Sequence, residues 1–196
     1  TLNGPTGVAM AQLIRNDYLG ENADMQYEVL SNPQLLPAKL IKGEADMAFL
    51  PTNMASILYN QTKGQVVLIS ADIWGLLSVL STDPSLKTWA DLMGKQIDIL
   101  GQGATPEVAF KALAEANGLA PKTDMTYKFS YDAASTLATA MIAGEVKDGI
   151  AVLPEPATSM VLQKNKNARV LFGFGTEWSA AFGGAGVQRR LLVLRQ

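Results

Sequence analysis

Ile97-Asp98-Ile99-Leu100-Gly101-Gln102-Gly103-Ala104-Thr105-Pro106-Glu107-Val108-Ala109-Phe110 reads as a strand, a glycine turn and the start of a helix. Ile97, Ile99 and Leu100 form the short apolar run that suits a buried parallel strand. Gly101 and Gly103 permit backbone angles that a Cβ resists. Thr105 is a good N-cap, Pro106 suits the first helical position, and Glu107 complements the positive end of the helix dipole. The helix then runs through Val108, Phe110, Leu113 and Ala114 to a stop at Gly118. A helix N-terminus after such a turn presents N–H groups that suit an anionic or carbonyl-bearing ligand.

The stretch has an echo about a hundred residues earlier, in Asn3-Gly4-Pro5-Thr6-Gly7 before an apolar helix. A second pair of echoes is closer. Leu40-Ile41-Lys42-Gly43-Glu44-Ala45-Asp46 with Met47 to Pro51 matches Met141-Ile142-Ala143-Gly144-Glu145 with Asp148 and Gly149 to Pro154. Each is a helix end, a Gly-Glu turn, an Asp, an apolar strand and a proline. Two pairs at nearly one offset predict two lobes of similar build, each offering a strand-end loop to a shared cleft.

A chain of 196 residues forms one large domain or two small ones, and buries a real core without disulfides or metals. The net charge of -2, with no basic run, argues against nucleic acid as the main partner. Histidine and cysteine are both absent, which removes the commonest general base, the commonest metal ligand and the thiol nucleophile. No catalytic residue, metal site or cofactor is therefore expected. No apolar run is long enough to span a membrane.

In chain order, a helix is predicted from Thr6 to Leu19 and a short strand from Gln26 to Leu30. A helix after Asn32-Pro33 ends at Gly43, and a buried strand from Met47 to Leu50 delivers Pro51-Thr52-Asn53. Strands follow at 66–69 and 76–80, and Thr88 to Asp91 has the form of a capping box. A strand through Met125, Tyr127 and Phe129 ends at Ser130-Tyr131-Asp132, and a helix spans Ser135 to Ala143. The strand Gly149 to Leu153 leads through Pro154-Glu155-Pro156 into a helix from Ala157 to Lys164. Arg169 to Phe172 is a strand, Trp178 sits in a glycine-flanked loop, and Leu191 to Leu194 is a final strand. Alternation of this kind predicts α/β units with largely parallel sheets.

Laid out this way, the chain resembles the solute-binding proteins of ABC transporters, specifically the type II periplasmic binding fold in its nitrate/sulfonate/taurine and thiamine-pyrimidine branch. The motifs are Gly4-Pro5-Thr6-Gly7, Gly43-Glu44-Ala45-Asp46 with Pro51-Thr52-Asn53, Thr88 to Gly94 with Lys95, Gly101 to Pro106, and Leu153-Pro154-Glu155-Pro156. The resemblance implies two lobes, each a mostly parallel sheet flanked by helices, that trap a ligand by hinge closure. Lobe I would take residues 1–76 and lobe II residues 77–196, with hinge strands near 73–80 and 184–190. Family members continue beyond a strand like Leu191 to Leu194, so the first lobe is expected to be incomplete here. It also implies that the protein, monomeric at full length, works outside the cytoplasmic membrane, in a periplasm or lipid-anchored. There it would pass a small organic solute to permease subunits.

The candidate ligand contacts are the loop residues. Thr52 and Asn53 follow a buried strand, with a plain helix cap as the competing role for Asn53. Gly4, Pro5 and Thr6 could offer N–H groups or be a structural turn. Gln102, Gly103, Ala104 and Thr105 form the central loop, where Pro106 rules out a dinucleotide fingerprint. Trp74, Tyr131 and Trp178 are aromatics placed to stack on a planar ligand or to pack a hinge, whereas Trp89 reads as core. Glu155, between two prolines, would accept from an amine or aminopyrimidine, or complement the following helix dipole. No Arg or Lys occurs in these loops, which favours a ligand with apolar parts and a few polar groups over a bare anion. A binding protein is the leading expectation. An enzyme acting on a pyrimidine-type substrate and the sensing domain of a transcription regulator are the alternatives.

Overall fold

The computed structural model of the protein describes residues 7, 10, 11, 26–30, 32–183 and 188–195. Gly4, Pro5, Thr6 and most of the helix expected over 6–19 lie outside them. The chain divides into two compact units, residues 1–73 with 190–196, and residues 74–189.

In the first unit, a 3-10 turn at Pro33–Leu35 leads into a helix, Leu36–Lys42 (α1), closed by Gly43 in the left-handed region. The strand Met47–Pro51 (β1) follows, then the helix Thr52–Gln61 (α2) and the strand Val66–Trp74 (β2). The last strand of the chain, Gln188–Arg195 (β8), lies between β1 and β2 and pairs antiparallel with β1, Met47 opposite Leu194 and Pro51 opposite Arg190. Leu191 to Leu194 therefore joins the first unit rather than the segment 77–196. Leu36, Leu40, Ala48, Leu50, Ala55, Leu58 and Val66 make this unit's core. The strand expected at Gln26 to Leu30 reduces to a single bridge at Leu30. Tyr27 and Val29 are 57% and 51% exposed, so no burial rewards extending it.

The second unit is a three-layer α/β/α sandwich. Its strands are Leu77–Ser81 (β3), Gln96–Ile99 (β4), Thr126–Lys128 (β5), Ile150–Pro154 (β6) and Arg169–Gly173 (β7). They form one sheet in the order β5-β4-β6-β3-β7. β4 runs parallel to β5 and to β6, while β3 runs antiparallel to β6 and β7. The helices are Thr105–Ala116 (α3), Ala134–Ala143 (α4), Ala157–Lys164 (α5) and Phe174–Phe182 (α6). Side chains alternate across the sheet because the strand period is two. Leu77, Val79, Ile97, Ile99, Ile150 and Val152 meet Phe110, Leu113 and Phe174 on one face. Leu80, Ala151 and Leu153 meet Leu137, Met141 and Val161 on the other. Every residue of β6 is buried, as a central strand covered on both faces requires. Trp89 is core as expected, stacked on Phe172 at 4.4 Å with its Nε1 donating to Glu177 at 2.8 Å. The capping box is formed, since Asp91 accepts from the amides of Lys87 and Thr88, both at 2.7 Å.

The Gly-Glu echo is structural. Gly43 (φ 73°) and Gly144 (φ 76°) cap α1 and α4 in the same left-handed conformation. The amides of Glu44 and Glu145 both return to a helix carbonyl, those of Lys39 and Ala140, at 2.9 Å. The second copy adds a 3-10 turn at Lys147–Gly149, whose Asp148 accepts from the Gln96 amide at 2.8 Å.

Asp98 is out of character for β4. It is 3% exposed, accepts from Gln96 Nε2 at 3.1 Å, and faces Lys128 in register. Burial pushes its carboxyl above the usual range, against the smaller opposing effects of Gln96 and Lys128. A raised folded pKa favours the protonated form. The resulting cost to stability is absent below the unfolded value, about 3.9, and grows as pH rises through the folded value. Asp98→Asn is expected to be more stable than wild type at pH 7 and indistinguishable from it near about pH 3. Urea midpoints at the two pH values test this, and a gap that does not grow with pH counts against it.

Candidate functional site

The sheet pairing of the second unit fixes which loops meet. β4, β5 and β6 are mutually parallel, so the loops after Ile99, Lys128 and Pro154 leave from one edge of the sheet. β3 runs the other way, with Leu77 opposite Pro154, so the chain enters β3 at that same edge. The Glu155 amide donates to the Leu76 carbonyl at 3.1 Å and ties the two together. β7 places Gly173 opposite Ser78, so α6 also starts there. The N-termini of α3, α4, α5 and α6 thus all lie at the edge where open α/β sheets hold their ligands.

The central loop departs from the expected pattern. Thr105 is not the N-cap. Ala104 holds that position with extended angles (φ -90°, ψ 170°), and Thr105 and Pro106 are the first two helical residues. Ala104 has no side-chain acceptor, and no side chain caps the helix's own first N–H groups. Glu107, 8% exposed, turns back and accepts from the Gly103 amide at 2.6 Å. Its other oxygen is paired with the Lys111 ammonium one turn on. Gly101 is required here, because φ is 71° and an added Cβ would stand 3.0 Å from that of Ala104. Ala104 and Thr105 are buried and form the floor of the loop, whereas Gln102 and Gly103 are exposed on its rim.

The Lys111 ammonium lies 4.7 Å from the centroid of the Tyr127 ring. The Tyr127 hydroxyl is buried without a hydrogen-bond partner. Burial, reinforced by the negative charges of Glu107, Glu115 and Asp124, pushes its pKa up to about 12.

Glu155 sits after β6, before a cis peptide bond to Pro156. Its Oε2 accepts from the Ser159 amide at 3.2 Å and from the Ser159 hydroxyl at 2.7 Å. The carboxylate therefore caps α5, whose N-cap Pro156 has no acceptor to offer. Tyr131 is half-buried against the Leu137–Val161 side of the second unit's core. With Ser135, Thr136, Thr139, Ala140 and Glu145 it lines an open hollow of about 280 Å³. Trp178 is not in a loop. It lies in the second turn of α6, packs against the Phe110–Phe174 side of the second unit's core and stands 4.5 Å from Phe182. The flanking glycines, 173 and 183, are the two caps of that helix.

In the first unit, Pro51 is the N-cap of α2, so Asn53 does not cap it. Asn53 is half-buried and its carbonyl accepts from the Ser56 hydroxyl at 3.0 Å. Thr52 is the first helical residue and Trp74 the last residue of β2, and the side chains of both lie outside the described residues. The edge of the second unit therefore gathers Gln102 and Gly103 with Tyr131 and Glu155, and adds Glu107 and Asp132. Glu107 is the residue sequence reasoning underrated. An acid at the third helical position, four residues before a lysine, after a glycine turn that lacks a polar cap, is the signal that could have found it. Among the described residues, no group of three or more metal-ligating side chains occurs, and no helix is long and apolar enough to cross a membrane.

No protein-family profile and no curated protein sequence matches the chain. Solved structures do. An ABC transporter protein from Parabacteroides distasonis superposes with a TM-score of 0.75 at 26% identity, over 100% of this chain and 64% of that one. The fold is that of an ABC transporter substrate-binding protein. The alkanesulfonate-binding protein SsuA from Xanthomonas axonopodis pv. citri, bound to MOPS, matches with a TM-score of 0.70 at 17% identity, over 100% and 63%. The aliphatic sulphonate binding protein SsuA of Escherichia coli matches with 0.68 at 17%, over 96% and 56%. The chain spans less than two thirds of the length of each of these three proteins.

If Glu155 caps α5, Glu155→Ala should lower unfolding stability by about 1 kcal/mol, and Glu155→Gln, which keeps an acceptor, by less. Urea unfolding measures both. Ser159→Ala in the Glu155→Ala background should cost nearly nothing further, because the partner is already gone.

Proposed function

We propose that this protein is the solute-binding component of an ABC importer, working outside the cytoplasmic membrane. It takes up a small organic solute at the strand-end edge of its second unit and presents it to permease subunits, with no bond made or broken. The observation that carries this reading is the parallel trio β5-β4-β6, which brings three strand-end loops and their helix N-termini to one edge, in a fold shared with ABC transporter substrate-binding proteins. The side chains there suit binding. Gln102 offers a polar side chain on the rim, and Tyr131 offers a half-buried ring beside an open hollow. A chain without histidine or cysteine has few groups poised for proton transfer at neutral pH, which favours capture over turnover.

A thermal-shift screen tests it. The panel holds aminopyrimidines, amino acids, aromatic carboxylates, polyols and sulfonates, and each mixture is analysed afterwards by mass spectrometry. A ligand at a hundred times its Kd adds about 2.7 kcal/mol, roughly 5–10 °C for a chain of this size. The expected outcome is one chemical class giving a saturable shift and being recovered unchanged. Recovery of a converted product would mean an enzyme, and a flat response across all classes would remove the solute-binding reading.

A further inference from the structure

The Gly101–Ala104 turn has the parts of an oxyanion site. It has an amide at Gly103, two glycines with positive φ, and an ammonium, Lys111, one helical turn beyond Glu107. That position is already filled by the chain itself. The Glu107 carboxylate spans it, one oxygen on the Gly103 N–H at 2.6 Å and the other on Lys111. At 8% exposed, the carboxylate is sealed under the loop rather than displayed to solvent. Both of its oxygens are engaged and its charge is matched, so it is stable in place. An incoming oxyanion would have to evict it and would also meet its negative charge at close range. Lys111 is already paired with that carboxylate and Lys128 stands at the end of β5; no other Lys or Arg occurs in the loops of this edge, residues 129–133, 154–156 and 173–176.

We propose that Glu107 is the specificity-determining residue of this edge, an internal carboxylate that occupies the oxyanion position of the Gly101–Ala104 turn, so that the solute's group facing this loop is neutral or N–H-donating rather than a sulfonate, sulfate or carboxylate. The proposal rests on the solute-binding reading above and sharpens its substrate class. Glu107 acts through the loop it shapes and is a positioning residue.

The test is anion rescue. Wild type, Glu107→Ala, Glu107→Gln and the double variant Glu107→Ala/Lys111→Met are titrated with formate, sulfate and MOPS, against chloride at matched ionic strength. Wild type is expected to show no saturable response to any of them. Glu107→Ala should unfold at lower temperature and recover with formate or sulfate in a saturable way, binding them about tenfold or more tightly than wild type. The double variant should lose that recovery. Glu107→Gln keeps an acceptor of the same shape and tests the contact even where Glu107→Ala fails to fold. Its Gly103 amide proton should move upfield and exchange faster than in wild type, with no gain in anion binding. Saturable binding of MOPS or sulfate to wild type overturns the proposal and leaves the solute-binding reading standing. So does a folded Glu107→Ala without anion-specific recovery, or an unmoved Gly103 resonance in Glu107→Gln. Failure of every solute in the screen, with anion rescue intact, overturns the transport reading and leaves Glu107's place in the loop established.

Discussion

The parallel register of β4 against β5 and β6 is the constraint on which the rest of the second unit depends. Parallel neighbours cannot be joined by a tight hairpin, so each strand must be followed by a crossover, here a helix. All crossovers then leave from the same edge and all helices begin there. The edge becomes a row of turns and helix N-termini, whatever sequence fills them. β4 holds this register because its neighbours are clamped on both faces. Ile97 and Ile99 are 0% and 1% exposed against the Phe110 side, while Leu137, Met141 and Val161 cover the face that Ala151 and Leu153 present. At roughly 25 cal/mol per Å² of apolar surface, burial of this kind far exceeds any single polar contact at the edge.

Gathering helix N-termini at one edge has an electrostatic cost, since their positive ends face one another. The chain relieves this with carboxylates. Glu107 answers α3, Glu155 answers α5, and Glu177 stands in the first turn of α6, where it also accepts from Trp89 Nε1 at 2.8 Å. The Glu177 contact joins the edge to the aromatic core, because Trp89 is stacked on Phe172 and lies 5.6 Å from Phe110. The starts of α3 and α6 are therefore held by bonds that involve buried groups, Glu107 and Trp89, while the Glu155–Ser159 contact is exposed. Preorganised loops of this sort spend less ordering entropy on binding.

Much of this was legible in the sequence, and the exceptions have physical reasons. Apolar runs bounded by glycine or proline located β1, β3, β4, β6 and β7, because a buried strand has no other way to be written. The Gly-Glu echo was legible because a left-handed C-cap all but demands glycine. The antiparallel placement of β3 was not legible, since periodicity reports burial and not direction. Trp178 was misplaced because glycines 173 and 183, read as loop markers, are helix caps. Thr105 was read as a cap from its residue type alone. In the fold Ala104 is the N-cap, and Glu107, three residues on, holds the preceding loop through the Gly103 amide; a buried carboxylate that bends back on its own loop leaves little trace in a linear pattern. Asp98 was missed for a similar reason. A polar residue inside an apolar strand reads as solvent-facing until the neighbouring strands are known, and here both are present.

The same division governs what the structural neighbours mean. A TM-score of 0.75 at 26% identity, and 0.70 at 17%, measures agreement in the path of the backbone. That path is set by the clamped parallel strands, which many sequences satisfy. Ligand chemistry is set by a few side chains on the loops the path creates, and a fold shared with sulfonate-binding proteins leaves those free to differ. In this chain the loops 129–133, 154–156 and 173–176 carry carboxylates and hydroxyls and no lysine or arginine. An edge whose helix dipoles are answered from within offers an incoming solute little net positive potential. Under the proposed solute-binding role, its selectivity comes from shape, from aromatic surface such as Tyr131, and from hydrogen bonds to the Gln102 side chain on the rim. On the proposed reading, backbone topology decides where a solute meets this protein, and the placement of a buried carboxylate decides which charge it carries there.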